Sequence, residues 1–371
     1  MNEDKRTWAE INLGNLEHNY KQIRARVPGA KFAGVVKANA YGHGAKEVAA
    51  RLEKLGADCL CVSCLDEAVE LRFDDVDLPM LILAPTPAKF AKDLVHMRLT
   101  QAVGDIETAR AVNQCLGYDA EPLHVHIKLE TGMGRTGFNV MYRKTMDELR
   151  EIATMPNLQI DGVFTHFAVS DEPQEEKYTR MQYSRFTAAC GLIEQNIGRS
   201  FGIRHCANSG AVVNYPETAC DMVRPGILLY GGYPAGAADG MDLRPVMTLK
   251  SRIYSITEHK TGDSISYGRT FVCPRDMRLA VIPVGYADGI FRSLSNRMEV
   301  LVRGRRVKQT GRVCMDMCMV DVTDVPDVHV GDEVTLFGEG LPVWEQAENA
   351  ETISYELLCA VSQRVPRIYV G

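Results

Sequence analysis

A lysine at the end of an apolar run is the feature of this chain that most clearly asks for a chemical use. In VVKANAYGHG, Lys37 directly follows the β-rich run KFAGVV, and Tyr41 and two glycines occupy the segment beyond it. An ammonium group beside a buried strand is costly to leave without a partner. One use for such a lysine is to hold an aldehyde covalently. Two later segments offer what a phosphate needs. ANSG, Ala207 to Gly210, supplies hydroxyl and backbone donors around Asn208 and Ser209, and RPG, Arg224 to Gly226, supplies a fixed cation followed by open backbone. Small residues let N–H groups approach phosphate oxygens closely. Each segment also has a plainer reading, a helix N-cap for ANSG and a turn for RPG.

A second constellation points elsewhere. HVHIK places His124, His126 and Lys128 on one face of a strand by period two, and His166 and His205 lie on the next two strands, a set from which a metal-dependent barrel hydrolase could be built. Against it, the last strand of the series ends in Arg224 where such a site wants an aspartate. Packing in or near the barrel mouth is the plainer role for His124, His126 and His205. CVSC, Cys61 to Cys64, has metal spacing, yet no second pair follows it, and Cys59 and Cys61 alternate within an apolar run. Core packing is expected there, and no metal site.

The elements that must position these residues repeat along the first two thirds of the chain. Eight short apolar runs, KFAGVV, CLCVS, PMLILA, LTQAV, LHVHIKL, DGVFTHF, IRHCA and MVRPGILL, are mostly separated by helical patterns such as GAKEVAARLEKLGA, where Val48, Leu52 and Leu55 recur at helical spacing before Gly56. Strands alternating with helices need crossovers and hence a parallel sheet, and eight units suggest a closed (β/α)8 barrel, with an open doubly wound sheet as the alternative. Lys37, Arg135, His166, Asn208, Ser209 and Arg224 all fall at or just after strand ends, where a barrel assembles its site. After Tyr230 the glycine- and alanine-rich GGYPAGAADGMD reads as a linker, and the short β-like runs beyond it as a small all-β domain. The expected fold is therefore α/β, a (β/α)8 TIM-type barrel over 10–235 followed by a smaller all-β domain formed by 1–9 and 242–371.

Composition removes several classes of function. At 371 residues the chain exceeds the usual span of one core, and 46% hydrophobic with 24% charged residues is ordinary for a globular protein. Apolar stretches such as Leu78 to Pro85 are too short to cross a bilayer, the first residues MNEDKRTWAE are unlike a signal segment, and a net charge of −6 without a basic run argues against a nucleic-acid partner. Eleven scattered cysteines fit a reducing compartment, and a cytoplasmic location is expected.

Taken together, VVKANAYGHG, HIKLETGMGRTGF, THFAVSDE, HCANSG, DMVRPGILLYG, SISYGRTF, VGYADG, GRVCMDMCMVDV, ETISYELL and RVPR resemble, in order from Trp8 to Arg367, the alanine racemase family of fold-type III pyridoxal enzymes. The resemblance implies an isomerase that interconverts L- and D-alanine with pyridoxal 5'-phosphate, supplying D-alanine as a peptidoglycan precursor. It implies Lys37 as the Schiff-base lysine and Tyr267 as the second base. Tyr41, Asn208, Ser209, Gly226, Ile227 and Tyr355 would hold the cofactor, largely at its phosphate, and Arg224 would face the pyridine nitrogen. Arg135 would meet the cofactor's phenolic oxygen, oriented by Lys128, which some relatives carry as a carbamate. His166 would lie by the ring and link Arg224 toward Tyr267. Met315 and Asp316 would help hold the substrate, with Tyr286 at the entrance. Two departures stand out: Glu130 replaces the usual aspartate before TGMGR, and Met317 replaces a common glutamine after CMD.

Inverting Cα needs a proton to leave one face and another to arrive on the opposite face, so two bases are required. A guanidinium stays protonated in proteins, so Arg224 can donate a hydrogen bond to a ring nitrogen without readily protonating it. This favours racemisation over decarboxylation. A serine or broad-specificity racemase is the neighbouring alternative, which Tyr355 disfavours. A non-enzymatic pyridoxal carrier would not need the β domain that bears Tyr267 and Met315. The resemblance also implies a head-to-tail homodimer whose two sites each combine Lys37 of one chain with Tyr267 and Met315 of the other, an isologous arrangement.

Overall fold

The computed structural model describes residues 5–117, 121–198, 200–233 and 240–371. Eight parallel strands follow one another around a barrel: Lys31–Val35, Cys59–Val62, Met80–Ile82, Leu99–Val103, Leu123–Glu130, Leu158–Phe164, Ile203–His205 and Met222–Val223. Each corresponds to one of the eight apolar runs of the sequence. Met222–Val223 also pairs with Lys31–Val35, and the last two strands are tied by Asp221 N–H to Arg204 O (3.0 Å) and Arg224 N–H to Ala207 O (2.9 Å), so the sheet closes on itself.

Helices cover the outside of the barrel, which is why its strands are apolar on both faces: all three residues of Met80–Ile82, and all but the first of Lys31–Val35 and of Cys59–Val62, are buried. Helix Ala45–Lys54 buries Val48, Ala49 and Leu52, and the chain leaves it through Gly56 at φ 80°. The longest helix, Glu176–Ile197, buries Thr179, Gln182, Phe186, Cys190 and Ile193, one per turn or nearly so, and stops at Gly198 in the left-handed region.

The remaining chain forms a nine-stranded sheet. Its order is 255–259, 277–282, 318–321, 305–310, 299–302, 333–337, 247–252, 7–12 and 367–370. All its pairs are antiparallel except the last, where Thr7–Asn12 runs parallel to Arg367–Val370. Two short helices, Val343–Asn349 and Ser354–Ala360, interrupt the β texture, and the second brings Tyr355 toward the barrel mouth. The buried residues of barrel and sheet form one continuous apolar core.

A separate cluster of Ile265, Cys273, Met277 and Leu279 supports a small hairpin, Ser264–Ile265 with Phe271–Val272, whose connection carries Tyr267. The expected linker over 231–242 falls largely on 234–239, which lie outside the described residues. Among the described residues, no helix is long and apolar enough to cross a membrane.

Candidate active site

A cavity of about 540 Å³ opens at the C-terminal ends of the barrel strands. Lys37, Tyr41, Lys128, Arg135, His166, Asn208, Ser209, Arg224, Gly226 and Tyr355 all line it. Its volume is that of a cofactor or small-molecule pocket, and its position is where barrels of this kind gather reactive side chains.

Lys37 enters at the end of the first barrel strand, and the chain beyond it does something no local sequence signal announces. Ala38, Asn39, Ala40 and Tyr41 have φ between 52° and 54°, a full turn of left-handed helix built without a glycine. Each L-residue in that conformation costs about 1–2 kcal/mol, so the turn stores roughly 4–8 kcal/mol. Tertiary contacts must supply that. The Asn39 side chain accepts from Ala45 N–H at 2.8 Å, and His43 Nδ1 lies 2.9 Å from Ala40 O. Gly42, at φ 82°, lets the chain pass against the Leu358 carbonyl, which a Cβ would strike. The turn delivers the Tyr41 ring between Tyr230 and Tyr355, at centroid distances of 4.9 and 5.8 Å.

Across the cavity, Arg224 is 4% exposed and has no carboxylate partner among the described residues. One terminal nitrogen donates to His205 Nδ1 at 2.7 Å, and the other to Thr165 O at 2.8 Å, with Cys206 O and His166 Nδ1 at 3.3 Å. Because the guanidinium only donates, His205 must accept at Nδ1 and carry its proton on Nε2, which then donates to His126 Nδ1 at 2.8 Å. Burial, with Arg224 beside them, pushes His205 and His166 well below the ordinary imidazole value, and burial takes His126 down to about 4. All three rings are therefore neutral near pH 7. His205 and His126, expected to be packing residues, are indeed buried, and they also orient the guanidinium. His124 is separate and exposed, paired with Asp161 at 2.5 Å.

Lys128 is buried and donates to Thr136 Oγ1 at 2.6 Å. Burial first, then the Arg135 and Arg224 charges, lower its ammonium to about 8. Glu130, the departure from aspartate, bonds the backbone N–H groups of Gly132 and Arg135 and so shapes the loop carrying Arg135. Burial would raise its carboxyl, but the loop's backbone donors outweigh burial and hold it below the usual value.

Where the ANSG and RPG segments meet, Asn208 caps helix Ser209–Asn214 through Ala211 N–H (3.0 Å), and Ser209 Oγ accepts from Gly226 N–H (2.9 Å). A side chain at Gly226 would run into the Tyr41 hydroxyl. Ile227 is fully buried behind this point and its side chain does not line the cavity.

Four expected residues are elsewhere. Tyr267, Tyr286 and Met315 are 70%, 44% and 53% exposed, and Asp316 is exposed beside them; none lines the cavity. They share one face of the β domain. Ser266 Oγ donates to Arg312 O (2.8 Å), while Tyr286 N–H and Ala287 N–H bond Cys314 O and Met315 O at 3.0 Å each. Beneath them the fully buried Asp288 takes Arg6 at 2.7 Å and Arg364 at 2.9 Å, and Arg364 also reaches Asp316 at 2.7 Å. Of the titratable residues that line the cavity, sequence reasoning missed two, Asp171 and Cys359. THFAVSDE held the signal for the first, an acid soon after a strand end.

Residues 11–234 match the family model "Alanine racemase, N-terminal domain" and 246–369 match "Alanine racemase, C-terminal domain". The chain is 43% identical to an alanine racemase of Desulforamulus reducens, over 98% of this chain and 99% of that one. It is 42% identical to alanine racemase 2 of Caldanaerobacter subterraneus subsp. tengcongensis, over 100% and 96%. Among solved structures, alanine racemase from Clostridium difficile 630 superposes with a TM-score of 0.93 at 39% identity, covering 99% of this chain and 96% of that one. Its complex with cycloserine superposes with a TM-score of 0.91 at 38% identity, with the same coverage.

Proposed function

This chain belongs to the alanine racemase family, and from that premise we propose that it interconverts L- and D-alanine with pyridoxal 5'-phosphate held on Lys37 and with Tyr267 of a partner subunit as the second base. The observation that carries the reading is the charge of the cavity: Lys37, Lys128, Arg135 and Arg224 line it, against Asp171 as the single carboxylate among the described lining residues. That donor set fits a phosphate-bearing anion. Lys37, Tyr41, Ser209, Gly226 and Tyr355 would hold the cofactor on the strand-end side, with Asn208 and Ile227 behind, while Arg224, Arg135 and His166 would hold its ring. When bound, pyridoxal phosphate supplies an electron sink for alanine's Cα.

The residues then divide the work. The Lys37 amine takes or returns the proton on one face of Cα, and the Tyr267 phenol does so on the other. Arg224, fixed by Thr165 and His205, would donate a hydrogen bond to the ring nitrogen without giving up its proton. Neutral His166 can accept from Arg224 while adding no further positive charge. Met315, through its backbone, would help hold the substrate carboxylate, with Asp316 nearby and paired to Arg364, and Tyr286 would narrow the entrance.

The exposure of Tyr267, Tyr286 and Met315 supports a homodimer in which these residues of one subunit complete the cavity of the other. Such a chain would work in the cytoplasm, free of nucleic acid and membrane. The proposed barrel unit over 10–235 and β unit of 1–9 with 242–371 meet inside the strand Thr7–Asn12, all of which pairs within the β sheet. The test is direct: purified protein is expected to racemise L-alanine and to be yellow, and borohydride reduction followed by peptide mapping is expected to mark Lys37. Label on any other lysine overturns the assignment.

A further inference from the structure

We infer that Glu67 is a positioning residue for Lys37, its carboxylate tying the left-handed turn that carries the lysine to the end of the adjacent barrel strand. The inference rests on the reading of Lys37 given above. One Glu67 oxygen accepts from Ala38 N–H at 2.7 Å, and the other from Ser63 N–H at 2.7 Å. Ala38 is the first residue of the left-handed turn and the immediate neighbour of Lys37, while Ser63 follows Cys59–Val62, the strand paired with Lys31–Val35, which leads into Lys37. Both Ala38 and Ser63 line the cavity.

Glu67 stands in the first turn of helix Leu65–Phe73, whose N-cap position, Cys64, makes no side-chain capping bond. An acid at that place ordinarily serves its own helix alone, reaching back to the N-terminal backbone. Here one oxygen does that for Ser63, and the second is spent on a different element. The other side-chain holds on the turn, Asn39 to Ala45 and His43 to the Ala40 carbonyl, act further along and leave the residue next to Lys37 to Glu67. A carboxylate suits the place because both facing groups are N–H donors. A carboxamide of the same shape would present an oxygen to one and an NH2 to the other, turning one hydrogen bond into a repulsion.

Glu67→Gln therefore releases the start of a strained turn without changing its packing volume. In the holoenzyme, kcat is expected to fall about 10- to 100-fold in both directions, as for loss of a charge-assisted hydrogen bond to the backbone beside the residue that carries the reacting amine. KM for alanine is expected to stay within about twofold of wild type, because substrate-holding groups are untouched. The visible band of bound cofactor should shift and its release quicken. Glu70→Gln, one turn further along the same helix and exposed, serves as control and should change nothing. Adding Ala38→Gly to Glu67→Gln should restore part of kcat, since glycine adopts the left-handed conformation freely.

Wild-type kcat and an unshifted band in Glu67→Gln would overturn the inference. So would a lower melting temperature with unchanged kcat per bound cofactor, which marks a merely structural carboxylate. Should Glu67→Gln fail to fold, Glu67→Asp, which keeps the charge but shortens the reach, carries the same comparison. Borohydride mapping separates the two levels: label away from Lys37 sinks the underlying reading, whereas label on Lys37 with a normal Glu67→Gln sinks only the role of Glu67.

Discussion

Lys128 makes a quantitative test of the cavity's electrostatics. Its ammonium sits at about 8, lowered by burial and by Arg135 and Arg224. At pH 7 such an amine is about 9% neutral, against about 0.03% for a lysine at its ordinary value, a gain of roughly 300-fold in the form that can react with CO2. The reaction joins the amine nitrogen to the CO2 carbon, releases one proton and leaves an anionic carbamate. The two guanidinium groups that disfavour the ammonium favour that anion, so the same field drives both steps. Because a lowered lysine gains neutral amine as pH rises through its folded value, occupancy should climb between pH 7 and 9. The perturbation is to strip dissolved CO2 and then restore it as 13C-bicarbonate. A protein carbamate resonance should appear, grow toward pH 9 and vanish in Lys128→Ala, and activity lost on stripping should return with it. Absence of a Lys128-dependent resonance at pH 9 would refute the reasoning.

Three further outcomes are expected. Arg224→Glu should slow racemisation while raising the share of turnovers that end in transamination, measured as pyruvate formed per racemisation event, because a carboxylate holds a ring proton that a guanidinium does not; an unchanged share argues against that role. Tyr267→Phe should suppress deuterium wash-in from L-alanine much more than from D-alanine, and equal residual exchange would count against two bases on opposite faces. Mixing inactive Lys37→Ala and Tyr267→Ala under conditions that exchange subunits should restore activity toward about a quarter of wild type, since half of the dimers are mixed at equilibrium and each has one intact site; no recovery in verified heterodimers would mean that each site is built within one chain.

The barrel was legible because its strands are buried on both faces and therefore appear as unbroken apolar runs such as PMLILA. Lys37 and Arg224 were legible because charged residues at the ends of such runs have few structural reasons to be there. The left-handed turn was not, since Ala38, Asn39, Ala40 and Tyr41 include no glycine and the conformation is imposed by Glu67, Asn39 and the approach of Leu358. Nor was the chain from Arg224 through His205 to His126 readable, because alternation places a histidine on a strand face without naming its partner across the barrel. The helices Val343–Asn349 and Ser354–Ala360 were also missed, being only two turns each, too short for a periodic signal.

The parallel pairing of Thr7–Asn12 with Arg367–Val370 sets a schedule for biosynthesis. The first of these strands leaves the ribosome long before the second exists. At about 5–20 residues per second the wait is roughly 20–70 s. Barrel strands pair largely with their neighbours in sequence and can assemble during that interval, but Thr7–Asn12 has no ladder until its antiparallel partner Met247–Arg252 appears, and stays on the sheet's edge side until Arg367–Val370 arrives. Arg6 likewise waits for Asp288. The β domain should therefore be the last part of a nascent chain to gain protease resistance, and the face bearing Tyr267 should form only once translation is nearly complete, so that assembly of the proposed homodimer would wait until the barrels are made.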